Sequence, residues 1–438
     1  MGIVYLMALL TARSPADHVM TTPSGNGPLS VAFAVGAWPP DAAPNGVLTY
    51  VAEISKGLKH DGHQVSVMSL VVKDGADPQE VYDVAPRPIR PRWRALGRKI
   101  ARRFGPRRDR WQDVGDSLVA ATHRAIAEKG LQLLEMEEAF GWPRLVGPLV
   151  PIPVVVHLHG PWFINGPLRG AVEDDSFRER VAAEKEAIVG ARAVTAPSRD
   201  ILDRTRAYYG VPLSEAVVIP YACPVVPRER RWRAAECDPS LVLFVGRFDL
   251  HKGGDVMIDA FVKVMKARPE ARLVFVGPDE GLTDEAGRRW DMRSYLAARA
   301  NRAWAEGRIE WLGRQPGSTL AQLRARAAVT VVASRYDNYP LTVLEAMSFG
   351  SPLVASRIGG IAEVVEDGVH GLLCPPGDAN ALAAAIVRLL EAPAFAAGLG
   401  ERAGDLCERA YHPTSVARRR VEYYRSLLDH DGGRSPAR

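Results

Sequence analysis

The sequence predicts two doubly wound α/β domains in one chain. Three observations carry this. The chain has 438 residues, more than one ordinary hydrophobic core holds. Short β-branched runs alternate with longer amphipathic stretches along most of it. The alternation is sharpest over residues 329–350, which read as a buried parallel strand, a polar loop and a helix led by Pro340. Asp337 lies in that loop and Glu345 in the helix, so two carboxylates flank one strand-to-helix junction. In a doubly wound sheet, ligands bind outside the carboxyl ends of strands, which makes this junction a candidate site.

Composition narrows the class. Charged residues are 24% and hydrophobic ones 47%, a soluble globular profile, and the net charge of +5 is mild. Cys223, Cys237, Cys374 and Cys407 are scattered with no CxxC pair. Neither a zinc site nor a disulfide framework is expected, and a reducing, cytoplasmic compartment fits. Residues 3–10 are apolar but far too short to span a bilayer. No basic region precedes them and no small-residue cleavage site follows closely, so they are not read as a signal peptide. Residues 1–28 read as a disordered extension, or as the product of an upstream start codon with Met20 as the rival.

The first domain is expected over residues 29–222. Residues 30–36 read as its first strand. The loop that follows holds Pro39, Pro40 and Pro44 and ends in Asn45-Gly46. Residues 47–60 then show helical spacing through Val47, Val51, Ile54 and Leu58. Asn45-Gly46 is either an ordinary turn or a place where backbone N–H groups approach an anion. No GxGxxG stands here, which argues against a dinucleotide oxidoreductase.

Residues 64–70 read as the second strand. Over residues 86–110, Trp93, Leu96, Ile100 and Phe104 share one helical face, and Arg92, Arg94, Arg98, Lys99, Arg102 and Arg103 cover the rest. This predicts a basic amphipathic helix. The simpler reading packs it on its own domain. The alternative is peripheral contact with an anionic membrane, or with an anionic acceptor. Nucleic acid is not expected, because no aromatic stacking platform accompanies the charge.

Residues 131–136 and 153–159 read as further strands. His157 and His159 share a face by the strand period of two. As a metal pair they lack a visible third ligand. His159, at the strand's carboxyl end, is placed to hydrogen-bond a substrate. Residues 184–189 read as helix, and 193–197 and 217–219 as short strands. A proline- and arginine-rich stretch from residue 220 onward marks the interdomain connection, bounded as a linker over residues 223–240.

The second domain is expected over residues 241–411, with strands at 241–245, 272–276, 308–311, 329–333, 352–355 and 371–374. Asp378 reads as the N-cap of a helix over 379–390. An amphipathic last helix, 414–428, follows Pro413 within a closing segment of residues 412–430. Three loops at strand ends carry chemistry. Gly246-Arg247 and Lys252-Gly253 bound the first; a guanidinium fork with an ammonium point charge suits a diphosphate. The second holds Asp337 and leads to Glu345. In the third, Gly359-Gly360 permit close backbone approach to a ligand, and Glu363 follows.

These residues resemble the retaining glycosyltransferases of family GT4. The family's Gly-Arg, four residues, Lys-Gly pattern stands at Gly246-Arg247 and Lys252-Gly253, and its E-x7-E pattern as Asp337-x7-Glu345. Gly359-Gly360-Ile361-Ala362-Glu363, Asn45-Gly46 and His159-Gly160 complete the likeness, with Asp337 in place of a Glu and Asn45 in place of a Gly. The resemblance implies a GT-B fold, two Rossmann-like domains facing a central cleft, with the last helix crossing back to the first domain. It implies that Arg247 and Lys252 hold the diphosphate of a sugar nucleotide, that Glu345 holds the ribose, and that Asp337 and His159 address the sugar. Asn45, Gly46, Gly246, Asn338, Tyr339, Pro340 and Leu341 complete the implied donor set. Glu135, Glu137 and Glu138 are read either as partners of sugar hydroxyls or as a solvated loop.

The expected activity is retaining transfer of a hexosyl unit from a nucleoside-diphosphate sugar, UDP-sugar favoured, to a hydroxyl acceptor. No DxD triplet stands in any of these strand-end loops, so no metal and no cofactor are expected; two cations and loop amides stabilise the leaving diphosphate instead. The Arg- and Ala-rich composition points to a GC-rich bacterial genome and to envelope glycans or specialised metabolites. The rival readings are a GT-B sugar-nucleotide epimerase, a phosphorylase and a non-catalytic sugar-nucleotide sensor.

Overall fold

The computed structural model describes residues 27–40, 45–85 and 109–432. The extension read at residues 1–28 lies almost wholly outside the described residues, as does the basic helix read at residues 93–104.

The chain folds around two parallel sheets. The first has seven strands in the order β3-β2-β1-β4-β5-β6-β7. They are β1 Ser30–Val35, β2 Gln64–Ser69, β3 Val81–Asp83, β4 Leu133–Glu137, β5 Val154–His157, β6 Ala193–Ala196 and β7 Val217–Val218. The second has six in the order β12-β9-β8-β13-β14-β15. These are β8 Asp238–Val245, β9 Arg272–Val276, β12 Ile309–Gly313, β13 Ala327–Val332, β14 Leu353–Ser356 and β15 Leu372–Cys374. A small antiparallel ribbon, β10 Leu282–Thr283 with β11 Arg289–Trp290, stands apart.

The strands are apolar on both faces because helices cover both. In β1, Val31, Phe33 and Val35 enter one core while Ala32 and Ala34 enter the other. The Gly46–His60 helix lies on the first face with Leu48, Val51, Ile54 and Leu58 buried. The same core continues through Tyr221 and Cys223 of the interdomain connection into Leu341, Val343 and Leu344 of the second half, and into Val416, Val421 and Tyr424 of the last helix. One apolar body therefore spans both sheets and the connection between them.

The last helix runs Pro413–Gly432 and returns to the first sheet. Arg418 pairs with Asp61 at 2.9 Å. Arg420, fully buried, donates to Glu135 Oε2 at 2.6 Å. Tyr424 Oη donates to the same oxygen at 2.6 Å, and Tyr50 Oη to Oε1 at 2.5 Å. Glu135 is thus neither a sugar contact nor part of a solvated loop. It is a buried anion neutralised by a cation from the far end of the chain.

Several boundaries differ from expectation. The helix read at 184–189 is the end of Asp175–Gly190, capped by Asp174, whose side chain accepts from Phe177 N. Its first half is too charged to show an apolar stripe. β8 begins at Asp238, inside the stretch read as linker. Pro340 is the N-cap of the Leu341–Ser348 helix rather than its first residue. Asp378 caps Ala379–Glu391 as read, accepting from Asn380 N and Ala381 N.

Candidate active site

In the second sheet, β8 and β13 are neighbours, with β9 beyond one and β14 beyond the other. The winding reverses between them, which opens a crevice at their carboxyl ends. Arg247 and Lys252 follow β8, and Asp337 follows β13. Lys252 Nζ donates to Asp337 Oδ2 at 2.6 Å, and Ser334 Oγ donates to the same oxygen at 3.2 Å.

Asp249 sets the shape of the first loop. Its Oδ2 accepts from Arg247 Nε at 2.6 Å and its Oδ1 from the Lys252 backbone N–H at 2.6 Å. The sequence pattern counts it only as one of the four residues between Arg247 and Lys252 and assigns it no role. Arg247 Nη2 lies 3.3 Å from His251 Nδ1. Burial, then the Lys252 charge, pull His251 down to about 4, so its ring is neutral and Nδ1 accepts. Gly253 has φ +69°, and a Cβ there would stand 2.0 Å from the Ala333 carbonyl oxygen. The two loops are therefore pressed together, backbone on backbone, and Arg335 clamps them with a bidentate pair to Asp255 at 2.7 and 2.6 Å.

The third loop packs against the second. A Cβ on Gly359 would stand 2.1 Å from Asp337 O, and one on Gly360 2.0 Å from Asn338 O. The glycines admit the backbone of the Asp337 loop. Glu363 reaches the other half of the molecule. Its carboxylate accepts from Arg199 N at 2.9 Å and Asp200 N at 2.8 Å, at the start of the Arg199–Tyr209 helix. An anion at a helix N-terminus is favourable. Tyr336 Oη donates to Asp200 Oδ2 at 2.9 Å beside it.

Residues of the loop after β13 face the first sheet. Asn338 Nδ2 donates to His159 O at 2.5 Å, while Asn338 Oδ1 is buried with no partner among the described residues. Tyr339 is buried with its ring edge-on to Tyr221, centroids 5.3 Å apart. A Cβ on Gly46 would lie 3.9 Å from Leu341. Asn45 is the N-cap of its helix, its side chain accepting from Leu48 N at 3.0 Å. Glu345 pairs with Arg324, which is buried and whose Nε has no partner among the described residues. No sequence signal marked Arg324.

On the opposite wall, Glu138 accepts from His159 N at 2.9 Å and Gly160 N at 2.7 Å. Burial, then the charge of Glu184, push Glu138 up to about 8. Burial pushes Glu137 up to about 7. His159 Nδ1 lies 2.6 Å from Tyr221 Oη. Burial, then the Arg420 charge, hold His159 down to about 3, so it is neutral. His157 lies with its ring 4.6 Å from that of His159, and its Nδ1 is 2.7 Å from Thr195 Oγ1. Among the described residues no group of three or more His, Cys, Asp or Glu is placed to hold a metal ion. The site is two fixed cations and a carboxylate on one wall, and a neutral imidazole on the other.

Known proteins resemble this chain in sequence and in fold. The family described as "Glycosyl transferases group 1" matches residues 227–405, and that described as "Glycosyltransferase Family 4" matches residues 44–223. A glycogen synthase of Mycobacterium tuberculosis is 28% identical over 250 residues, 56% of this chain and 56% of that protein. The chain spans about half the length of the first curated relatives it matches. Among solved structures, the sucrose-phosphate synthase of Thermosynechococcus elongatus superposes with TM-score 0.66 at 23% identity, over 92% of this chain and 100% of that one. The Anabaena protein HepE in complex with UDP and glucose superposes with TM-score 0.65 at 19% identity, over 91% of this chain and 100% of that one.

Proposed function

As a chain that belongs to the family 4 glycosyltransferases of GT-B fold, this protein, we propose, moves a hexosyl unit from a UDP-sugar to a hydroxyl acceptor, with retention and without a metal. One observation carries the reading: Arg247 and Lys252 are held at the β8/β13 switch point by Asp249 and Asp337, whose neighbour Asn338 donates to the His159 carbonyl. Departure of a nucleoside diphosphate builds negative charge on the β-phosphate. Two cations already in place stabilise it without reorganisation at the moment of reaction. The UDP-bound relative HepE supports the choice of nucleotide.

Each residue has a part in this mechanism. Arg247 grips the diphosphate with its fork while Asp249 keeps the guanidinium in plane. Lys252 shares its charge between Asp337 and the leaving phosphate. Asp337 and Asn338 Oδ1 receive hydroxyl donors of the sugar, and neutral His159 contacts it from the other wall. Glu345, steadied by Arg324, takes the ribose hydroxyls. The leaving phosphate accepts the acceptor's proton on the same face, which gives retention.

The test is UDP release from a panel of sugar nucleotides, with acceptor screens and product anomers read by proton NMR. Transfer that survives EDTA and yields the donor's anomeric configuration is expected. Activity abolished by EDTA and restored by Mg²⁺ overturns the metal-free part. Conversion of the sugar nucleotide with no acceptor overturns transfer in favour of epimerisation.

A further inference from the structure

We propose that Tyr221, from the connection between the two sheets, is a positioning residue that fixes the tautomer of His159, placing the ring proton on Nε2 for donation into the cleft. The inference rests on the reading above that His159 meets the donor sugar, and it adds which nitrogen does so and what decides it.

The backbone of His159 is held on three sides before its ring is considered. Glu138 accepts from its N–H at 2.9 Å and from the next N–H, of Gly160, at 2.7 Å. Asn338, from the opposite wall, donates to its carbonyl. The remaining freedom is the ring, and Tyr221 takes it: Tyr221 Oη lies 2.6 Å from His159 Nδ1. Tyr221 is itself immobilised by rings, with centroids 4.7 Å from Tyr50, 5.7 Å from His157 and 5.3 Å from Tyr339.

Hydrogen-bond bookkeeping then sets the tautomer. Tyr221 is 5% exposed, and its hydroxyl has one partner among the described residues, His159 Nδ1. If Nδ1 carried the proton and donated to Tyr221, the phenol hydrogen would be buried with no acceptor. If Tyr221 donates, the buried phenol hydrogen is satisfied and His159 is the Nε2–H form. Burial raises the Tyr221 phenol well above its ordinary value, so it keeps the hydrogen it donates. His157 Nε2 is buried without a partner, whereas His159 Nε2 is not sealed in this way. An Nε2–H there is a donor suited to a sugar hydroxyl oxygen.

The experiment uses the full chain labelled with [¹⁵N]histidine. The His159 signals are assigned by their loss in His159→Gln. The expected spectrum shows Nδ1 unprotonated and Nε2 protonated. In Tyr221→Phe, which keeps the ring and its stacking, the two tautomers mix, and kcat falls about tenfold, one neutral hydrogen bond, with KM for the sugar nucleotide unchanged. An Nδ1–H tautomer in the unmodified protein overturns the proposal, as does a Tyr221→Phe variant with unchanged tautomer and kcat. If no sugar nucleotide is turned over, the functional reading fails while the spectrum still decides the tautomer.

Discussion

Lys252 and Asp337 stand 85 residues apart in sequence, and their charged groups meet at 2.6 Å. The pair joins the loops after β8 and β13, so the group proposed to stabilise the leaving phosphate and the group proposed to address the sugar are one unit. Lys252→Ala should lower kcat by about 10²–10³, the scale of losing one such stabiliser. Asp337→Asn should lower kcat/KM for the donor by about 1.5–3 kcal/mol, one hydrogen bond to a charged group. In the double variant the losses should fall short of their sum by at least about 0.5 kcal/mol. Additive losses in a UDP-release assay would mean that the pair does not act together in turnover.

Asp249 holds Arg247 and the Lys252 backbone at once, which predicts a binding defect from a residue that need not touch substrate. Asp249→Asn should weaken product inhibition by UDP about tenfold or more, the value of one charge-assisted bond. Arg247→Lys should weaken it as well, since an ammonium cannot keep both the Asp249 contact and a forked grip on phosphate. An unchanged inhibition constant in both variants would place the diphosphate elsewhere.

The buried pair of Arg420 with Glu135 fastens the last helix to the first sheet. Arg420→Met leaves Glu135 buried and unpaired and should destabilise the fold by about 3–5 kcal/mol in denaturant titration. Adding Glu135→Leu removes the stranded charge and should restore part of that loss. A single variant within about 1 kcal/mol of the parent would show that the pair does not hold the helix.

His159 predicts a pH dependence of known sign. Its folded-state value is held near 3, against an ordinary 6.5, by burial. Between those values the unfolded chain binds the proton and the folded chain does not, so this contribution to stability is present above 6.5 and is lost as pH falls toward 3. His157 is shifted in the same direction by burial. His159→Gln should therefore lose less stability than the parent between about pH 6.5 and pH 4. Across about pH 5.5–8 the His159 ring should show no titration by NMR. A midpoint near its ordinary value would refute its neutrality.

The alternation of β-branched runs with amphipathic stretches was enough to predict two parallel sheets, and most strand positions fell within a residue or two of their places. Gly246-Arg247, Lys252-Gly253 and Asp337 were legible because the loops that follow parallel strands collect at one sheet edge, so local order in the chain already implies shared space. Partners that meet only after folding were not legible. Glu135 among its neighbouring glutamates looks like any acidic loop residue until Arg420 arrives from 285 positions away. Arg324 reads as one more surface arginine until the sheet buries it against Glu345. Tyr221 reads as part of a proline-broken connection until it meets His159. Periodicity and turn chemistry act over a few residues and are written in the order of the chain. Charge compensation, tautomer choice and the close approach that Gly253 and Gly360 allow depend on which distant groups are buried together, and packing alone decides that.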